Sequence, residues 1–215
     1  KMRFNNEANT WKIFLSNGKT YNSKFVVAAT GCLSKPNQPT IKNLNNFKGQ
    51  VLHTALWPSY KINFKSQNII VFGTGSSGIQ IIPEIAKEAK SLTILQRTAN
   101  FSIPANNYRL NKNQNTEFKK NFDQLKNISS NNRHGHPWEH SKTPIDESNL
   151  NEFLGGLESA WENGGLSFRD TFSNINYNNF ANTTTSKFII NKIKRIVEDP
   201  RKVKILTNFN YPFGA

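Results

Sequence analysis

At 215 residues the chain can bury one substantial core, or one domain and part of another. A hydrophobic content of 36% and a mean hydropathy of −0.61 describe a soluble, rather polar protein. No apolar run approaches the ~20 residues that span a bilayer, and no leader-like segment opens the chain. The formal net charge of +14 is scattered among asparagines with no dense Lys/Arg block, so it reads as background and not as a nucleic-acid surface.

The single cysteine, Cys32, excludes an intrachain disulfide and suits a cytoplasmic location. In chain order, Trp11 to Leu15 is a predicted strand, Asn17-Gly18 a hairpin turn, and Phe25 to Ala29 the second strand, closed by Thr30-Gly31. A lone hairpin is marginal, so it should belong to a larger sheet whose remainder lies outside this chain, which then begins inside a domain. Pro36, Pro39 and the polar residues to Asn46 read as a linker. Phe47 to Pro58 is apolar and aromatic enough to pack on a neighbouring domain. His53, taken alone, fits a hydrogen-bonded structural histidine better than a catalytic one.

Asn68 to Ile79 carries the strongest local signal. Ile69 to Phe72 has the composition of a buried parallel strand, and Gly73-x-Gly75-x-x-Gly78 follows at dinucleotide-binding spacing. The first glycine permits the turn, the second lets a pyrophosphate approach, and the third lets helix and strand pack closely. A helix predicted over residues 77–90, bent by Pro83, would turn its free amides to the phosphates. Leu92 to Leu95 is the next strand. At its end an NAD site would carry an acid for the ribose hydroxyl, whereas this chain has Gln96-Arg97. A guanidinium there suits a 2′-phosphate, so NADP(H) is favoured over NAD(H), against the alternative of an ordinary surface arginine.

Three apolar stripes predict helices: Phe118, Phe122, Leu125 and Ile128; Leu150 to Trp161, stopped at Gly164-Gly165; and Phe188 to Val197, stopped at Asp199-Pro200. Val203 to Leu206 is predicted to resume a strand. His134, His136, Glu139 and His140 could ligate a metal, but the spacing is unfamiliar and the flanks polar, so a solvated loop is preferred. Glu84, Glu88, Asp146 and Glu147 read as helix-surface or capping residues.

The pattern Phe47-x-Gly49-x-x-x-His53-Thr54-x-x-Trp57-Pro58 resembles the fingerprint of the Baeyer–Villiger monooxygenases, and the resemblance runs from Ala29-Thr30-Gly31 to Tyr211-Pro212-Phe213-Gly214. The related N- and S-oxidising flavin monooxygenases usually lack the Thr-x-x-Trp-Pro ending and stand as the alternative, with a non-catalytic NADP-binding module as a further one. The resemblance implies an α/β chain. Residues 1–36 would end an FAD-binding domain, residues 37–58 form a linker with the fingerprint, and residues 59–215 form a Rossmann-like NADP-binding domain with a helical insertion at about 108–200.

It also implies FAD and NADP(H) as cofactors, and a ketone or related small molecule and O2 as substrates. The product would be an ester or lactone, formed through a C4a-peroxyflavin. Gly73, Thr74, Gly75, Ser76, Ser77 and Gly78 would hold the pyrophosphate, and Arg97 with Thr98 the 2′-phosphate. Thr30 and Gly31 would border the FAD domain. His53, Thr54 and Trp57 would couple domain movement to catalysis, without proton transfer by His53. The family's FAD-binding glycine motif and catalytic arginine have no counterpart here, so this piece alone is expected to lack flavin and turnover.

Overall fold

A computed structural model of the chain describes residues 1–132 and 134–214 and divides into two units, Lys1–Ile62 and Asn63–Ala215. In the first unit, strands β1 (Met2–Asn5), β2 (Thr10–Phe14) and β3 (Thr20–Ser23) form an antiparallel sheet in the order β1-β2-β3. The Asn17-Gly18 turn is present. Gly18 adopts φ 81°, and the Leu15 N–H donates to Lys19 O at 2.9 Å.

The partner strand is nevertheless Thr20–Ser23 and not Phe25 to Ala29. A turn this tight sets Phe14 opposite Thr20, so the residues directly after it must pair. The apolar run beyond is not a strand, and its Phe25 and Val27 are 76% and 88% exposed. The sheet's third member, β1, also lies within this chain rather than outside it, with Phe4 against Trp11 at a ring separation of 5.1 Å. Residues 24–62 hold only the short 3₁₀ turns Leu44–Asn46 and Thr54–Leu56.

The second unit opens with β4 (Asn68–Phe72), α1 (Ser76–Ala86) and β5 (Ser91–Leu95), the strands parallel and in register from Asn68 opposite Ser91 to Phe72 opposite Leu95. Helix α1 packs on both strands. Neither strand is fully buried, contrary to the expectation from their apolar runs. Side chains alternate between faces: Ile69, Val71 and Leu92 are half-buried, while Ile70 and Phe72 are exposed. Pro83 lies inside α1, which ends at Ala86, short of the predicted residue 90.

The remainder is helical: α2 (Lys112–Lys120), α3 (Phe122–Ser130), α4 (Leu150–Asn163), α5 (Asn179–Ile196) and α6 (Pro200–Leu206). The stripe from Phe118 to Ile128 is divided between α2 and α3 at Asn121. Helix α4 ends at Gly164, φ 69°, as the Gly-Gly pair predicts. The strand predicted at Val203 to Leu206 is instead helix α6. Asp199 accepts a 2.9 Å bond from the Arg201 N–H and Pro200 occupies the first turn, so the pair that stops α5 also starts α6. That backbone bond is the main cause holding the Asp199 carboxyl below its ordinary range. Asp146 caps the short turn Glu147–Asn149 in the same way, its carboxyl lowered chiefly by the Ser148 hydroxyl.

Phe153 and Leu157 of α4 and Ile189 of α5 are fully buried, together with Ile145, Phe168 and Ile175, so the principal core lies among the helices. Phe213, from the Tyr-Pro-Phe-Gly segment, closes it. Asn182 pins that segment. Its amide donates to Ile175 O at 3.0 Å and Phe213 O at 2.9 Å, and its carbonyl accepts from the Phe213 N–H at 3.2 Å. Asn182→Ala would leave these buried groups unpaired, and we expect it to lower stability by about 2–4 kcal/mol in urea unfolding. An unchanged midpoint would rule out this role for Asn182. No helix among the described residues is long and apolar enough to cross a membrane.

Candidate nucleotide-binding site

The site is built where β4 and β5 end side by side. Gly73 follows Phe72 with φ 94°, a conformation that L side chains rarely adopt, and its N–H donates to Leu95 O at 2.9 Å. The turn is thereby tied to the neighbouring strand. Gly75 then caps α1 with extended geometry and offers no side chain to the helix amides. The N–H groups of Gly75, Ser76, Ser77 and Gly78 make no hydrogen bond among the described residues, and the first turn contains no acid. Free donors at the positive end of an 11-residue helix form an anion-binding surface.

The glycines have distinct physical reasons. A Cβ on Gly78 would collide with the carbonyl oxygen of Gly73, so only glycine lets α1 begin this close to the turn. A Cβ on Gly75 would meet nothing within 4 Å, which leaves room for a ligand to reach its amide. Arg97 lies just beyond β5 at the same end of the sheet. It is exposed and has no ion pair or hydrogen bond among the described residues, so its guanidinium is available to an anion. Thr98 beside it is half-buried. This donor set fits a dinucleotide: helix amides for a pyrophosphate, and a cation where a 2′-phosphate would lie.

Three residues that sequence reasoning did not assign to the site hold the turn in place. Asn100 donates its amide to Thr74 O at 2.7 Å, the Tyr211 hydroxyl lies 3.0 Å from Asn100 Oδ1, and the Thr74 hydroxyl donates to Gln96 Oε1 at 3.3 Å. Gln96 in turn donates to Ile205 O at 3.1 Å. No local signal marks this network, because residues 205 and 211 reach it from the far end of the chain.

The other predicted site residues belong to the first unit. His53 caps the Thr54–Leu56 turn, with Nδ1 accepting from the Ala55 N–H at 3.1 Å. That leaves the proton on Nε2, which meets Asn37 O at 3.3 Å, so both ring nitrogens serve local structure. Thr54 and Trp57 are exposed. Thr30 and Gly31 lie in an exposed irregular stretch and make no hydrogen bond among the described residues.

The histidine-rich segment is pinned and not simply solvated. Asp170, its side chain 4% exposed, accepts from Trp138 Nε1 at 3.0 Å, and its other oxygen lies 3.0 Å from His140 Nδ1. His140 Nε2 lies 2.8 Å from Asn132 Oδ1, and His136 stacks on Trp138. Among the described residues no group of His, Cys, Asp and Glu is arranged to hold a metal ion.

A family model described as flavin-binding monooxygenase-like matches residues 5–125. The chain is 37% identical over 199 residues to a cyclohexanone 1,2-monooxygenase from Acinetobacter sp, covering 91% of this chain and 36% of that protein. It is 33% identical over 206 residues to a Baeyer-Villiger monooxygenase from Pseudooceanicola batsensis, covering 95% and 38% respectively. A phenazine N-monooxygenase from Lysobacter antibioticus is 34% identical, covering 91% and 36%. Among solved structures, an oxidized steroid monooxygenase bound to NADP superposes with a TM-score of 0.85 at 33% identity, covering 99% of this chain and 41% of that one. The chain thus spans less than two-fifths of the length of these curated relatives.

Proposed function

The chain belongs to the flavin-binding monooxygenase-like family, and on that premise we propose that it is the NADP(H)-binding piece of a longer Baeyer–Villiger-type enzyme. The reaction is insertion of one oxygen atom of O2 beside a ketone carbonyl, giving an ester or lactone at the expense of NADPH. Supporting it are the fingerprint from Phe47 to Pro58 and relatives named for ketone oxygenation. The observation that carries the nucleotide part is the glycine turn, whose Gly78 cannot carry a Cβ and whose free amides share a sheet end with an unpaired Arg97.

The chemistry supplied by a bound FAD is oxygen activation after reduction by NADPH. This chain's own residues bind and orient the reductant. Gly75, Ser76, Ser77 and Gly78 donate to the pyrophosphate, with Gly73 and Thr74 shaping the turn. Arg97, with Thr98, holds the 2′-phosphate. Thr30 and Gly31 border the flavin domain, and His53 shapes the fingerprint turn that presents Thr54 and Trp57. Residues 1–36 end the flavin domain, residues 37–58 link it, and residues 59–215 bind NADP(H), with the helical insertion at about 108–200. The exposed thiol of Cys32 is in keeping with a cytoplasmic location.

The test uses the longer protein with NADPH, ¹⁸O₂ and a cyclic ketone. A lactone carrying one labelled oxygen is expected. The phenazine N-monooxygenase relative favours a second reading, oxidation of nitrogen or sulfur. An N-oxide or sulfoxide from amine or thioether substrates, with no lactone from ketones, would establish that reading instead.

A further inference from the structure

We infer that Asn100, anchored by Tyr211, is a positioning residue that aims the Gly75 amide at the cofactor pyrophosphate. This rests on the reading of the glycine turn as the NADP(H) site. The Asn100 amide grips Thr74 O at 2.7 Å and lies 3.4 Å from the Thr74 hydroxyl oxygen. A trans peptide is planar, with its C=O and the following N–H pointing in opposite directions. Holding the Thr74 carbonyl therefore sets the direction of the Gly75 N–H, which has no partner among the described residues, at a position where an added Cβ would meet nothing within 4 Å. Without that grip the carbonyl could turn towards the pyrophosphate, where two electronegative groups would repel.

Tyr211 anchors the other end of the Asn100 amide. Its hydroxyl proton is shared between Ala99 O at 2.7 Å and Asn100 Oδ1 at 3.0 Å. A flipped amide would set Oδ1 against Thr74 O, acceptor against acceptor, so the bond to Thr74 fixes which end is the nitrogen and the tyrosine holds the oxygen end in place. The ring is fixed independently, edge-on to Phe101 at 5.7 Å and near Phe209 at 6.5 Å. Tyr211→Phe thus removes the hydroxyl and keeps the packing. The Thr74 hydroxyl has a second hold through Gln96 and Ile205, so losing Tyr211 loosens the turn without unfolding it.

Isothermal titration of this chain with NADP⁺ and with NAD⁺, and thermal melting as a control, test the inference. Tyr211→Phe should weaken both nucleotides about threefold to tenfold, the effect of one net hydrogen bond, with the ratio of the two affinities and the stoichiometry unchanged. Asn100→Ala should weaken both at least as much, and on that background Tyr211→Phe should cost nothing further, because it acts through Asn100. Wild-type binding with Tyr211→Phe within twofold overturns the inference. So do additive losses, or a lowered melting temperature with unchanged affinity, the sign of a packing role alone. If the wild-type chain binds neither nucleotide, the nucleotide reading itself fails and the inference falls with it.

Discussion

Gly78→Ala is expected to weaken NADP⁺ binding at least tenfold and to lower stability by about 1–3 kcal/mol, the range for forcing extra volume into a filled contact. The added methyl would strike Gly73 O and lie 3.2 Å from Gly73 C. Both are backbone atoms, so no side-chain rotation can relieve the clash. Gly73 cannot easily retreat, since its amide is bonded to Leu95 O and its φ of 94° is already one that glycine alone adopts readily. Helix α1 must therefore back away, taking with it the free amides proposed to hold the pyrophosphate. Gly75→Ala is the matched control. Its Cβ meets no protein atom within 4 Å, so stability should hold while affinity falls, because the methyl would enter the space proposed for the pyrophosphate. Titration and melting of the two variants check this, and equal behaviour in both would contradict the distinct roles assigned to the two glycines.

The second large effect belongs to Arg97. Arg97→Ala should weaken NADP⁺ by roughly tenfold to a hundredfold and leave NAD⁺ unchanged, since a charge-assisted hydrogen-bonded pair contributes about 1.5–3 kcal/mol. The arginine is exposed and unpaired among the described residues, so no internal ion pair is lost with it. Arg97→Lys should keep the charge and lose the paired geometry, giving an intermediate affinity. Because the site is open to solvent, the preference for NADP⁺ should shrink as salt rises. Equal losses for both nucleotides would show that Arg97 does not read the 2′-phosphate.

How far the sequence discloses this structure depends on how local each cause is. The glycine turn was readable because a strand, three spaced glycines and a helix form one contiguous stretch, Asn68 to Ala86. The stops of α4 and α5 were readable for the same reason. The hairpin was half readable: Asn17-Gly18 announced the turn, but apolar composition pointed to Phe25 to Ala29, whereas turn geometry selects the polar Thr20–Ser23. Helix α6 escapes a local reading because Asp199-Pro200 serves equally as a stop for α5 and as a cap with a proline behind it. The hold on Thr74 could not have been found. It joins Asn100 to Tyr211 across 111 residues and Gln96 to Ile205 across 109, and polar contacts at such separation leave no periodic trace.

The most direct test is titration of this chain with NADP⁺ and NAD⁺ under identical conditions. One NADP⁺ per chain, bound at least tenfold more tightly than NAD⁺, is the expected result. Binding of neither, or of both equally, would contradict the assignment of Gly73 to Gly78 and Arg97 as an NADP(H) site.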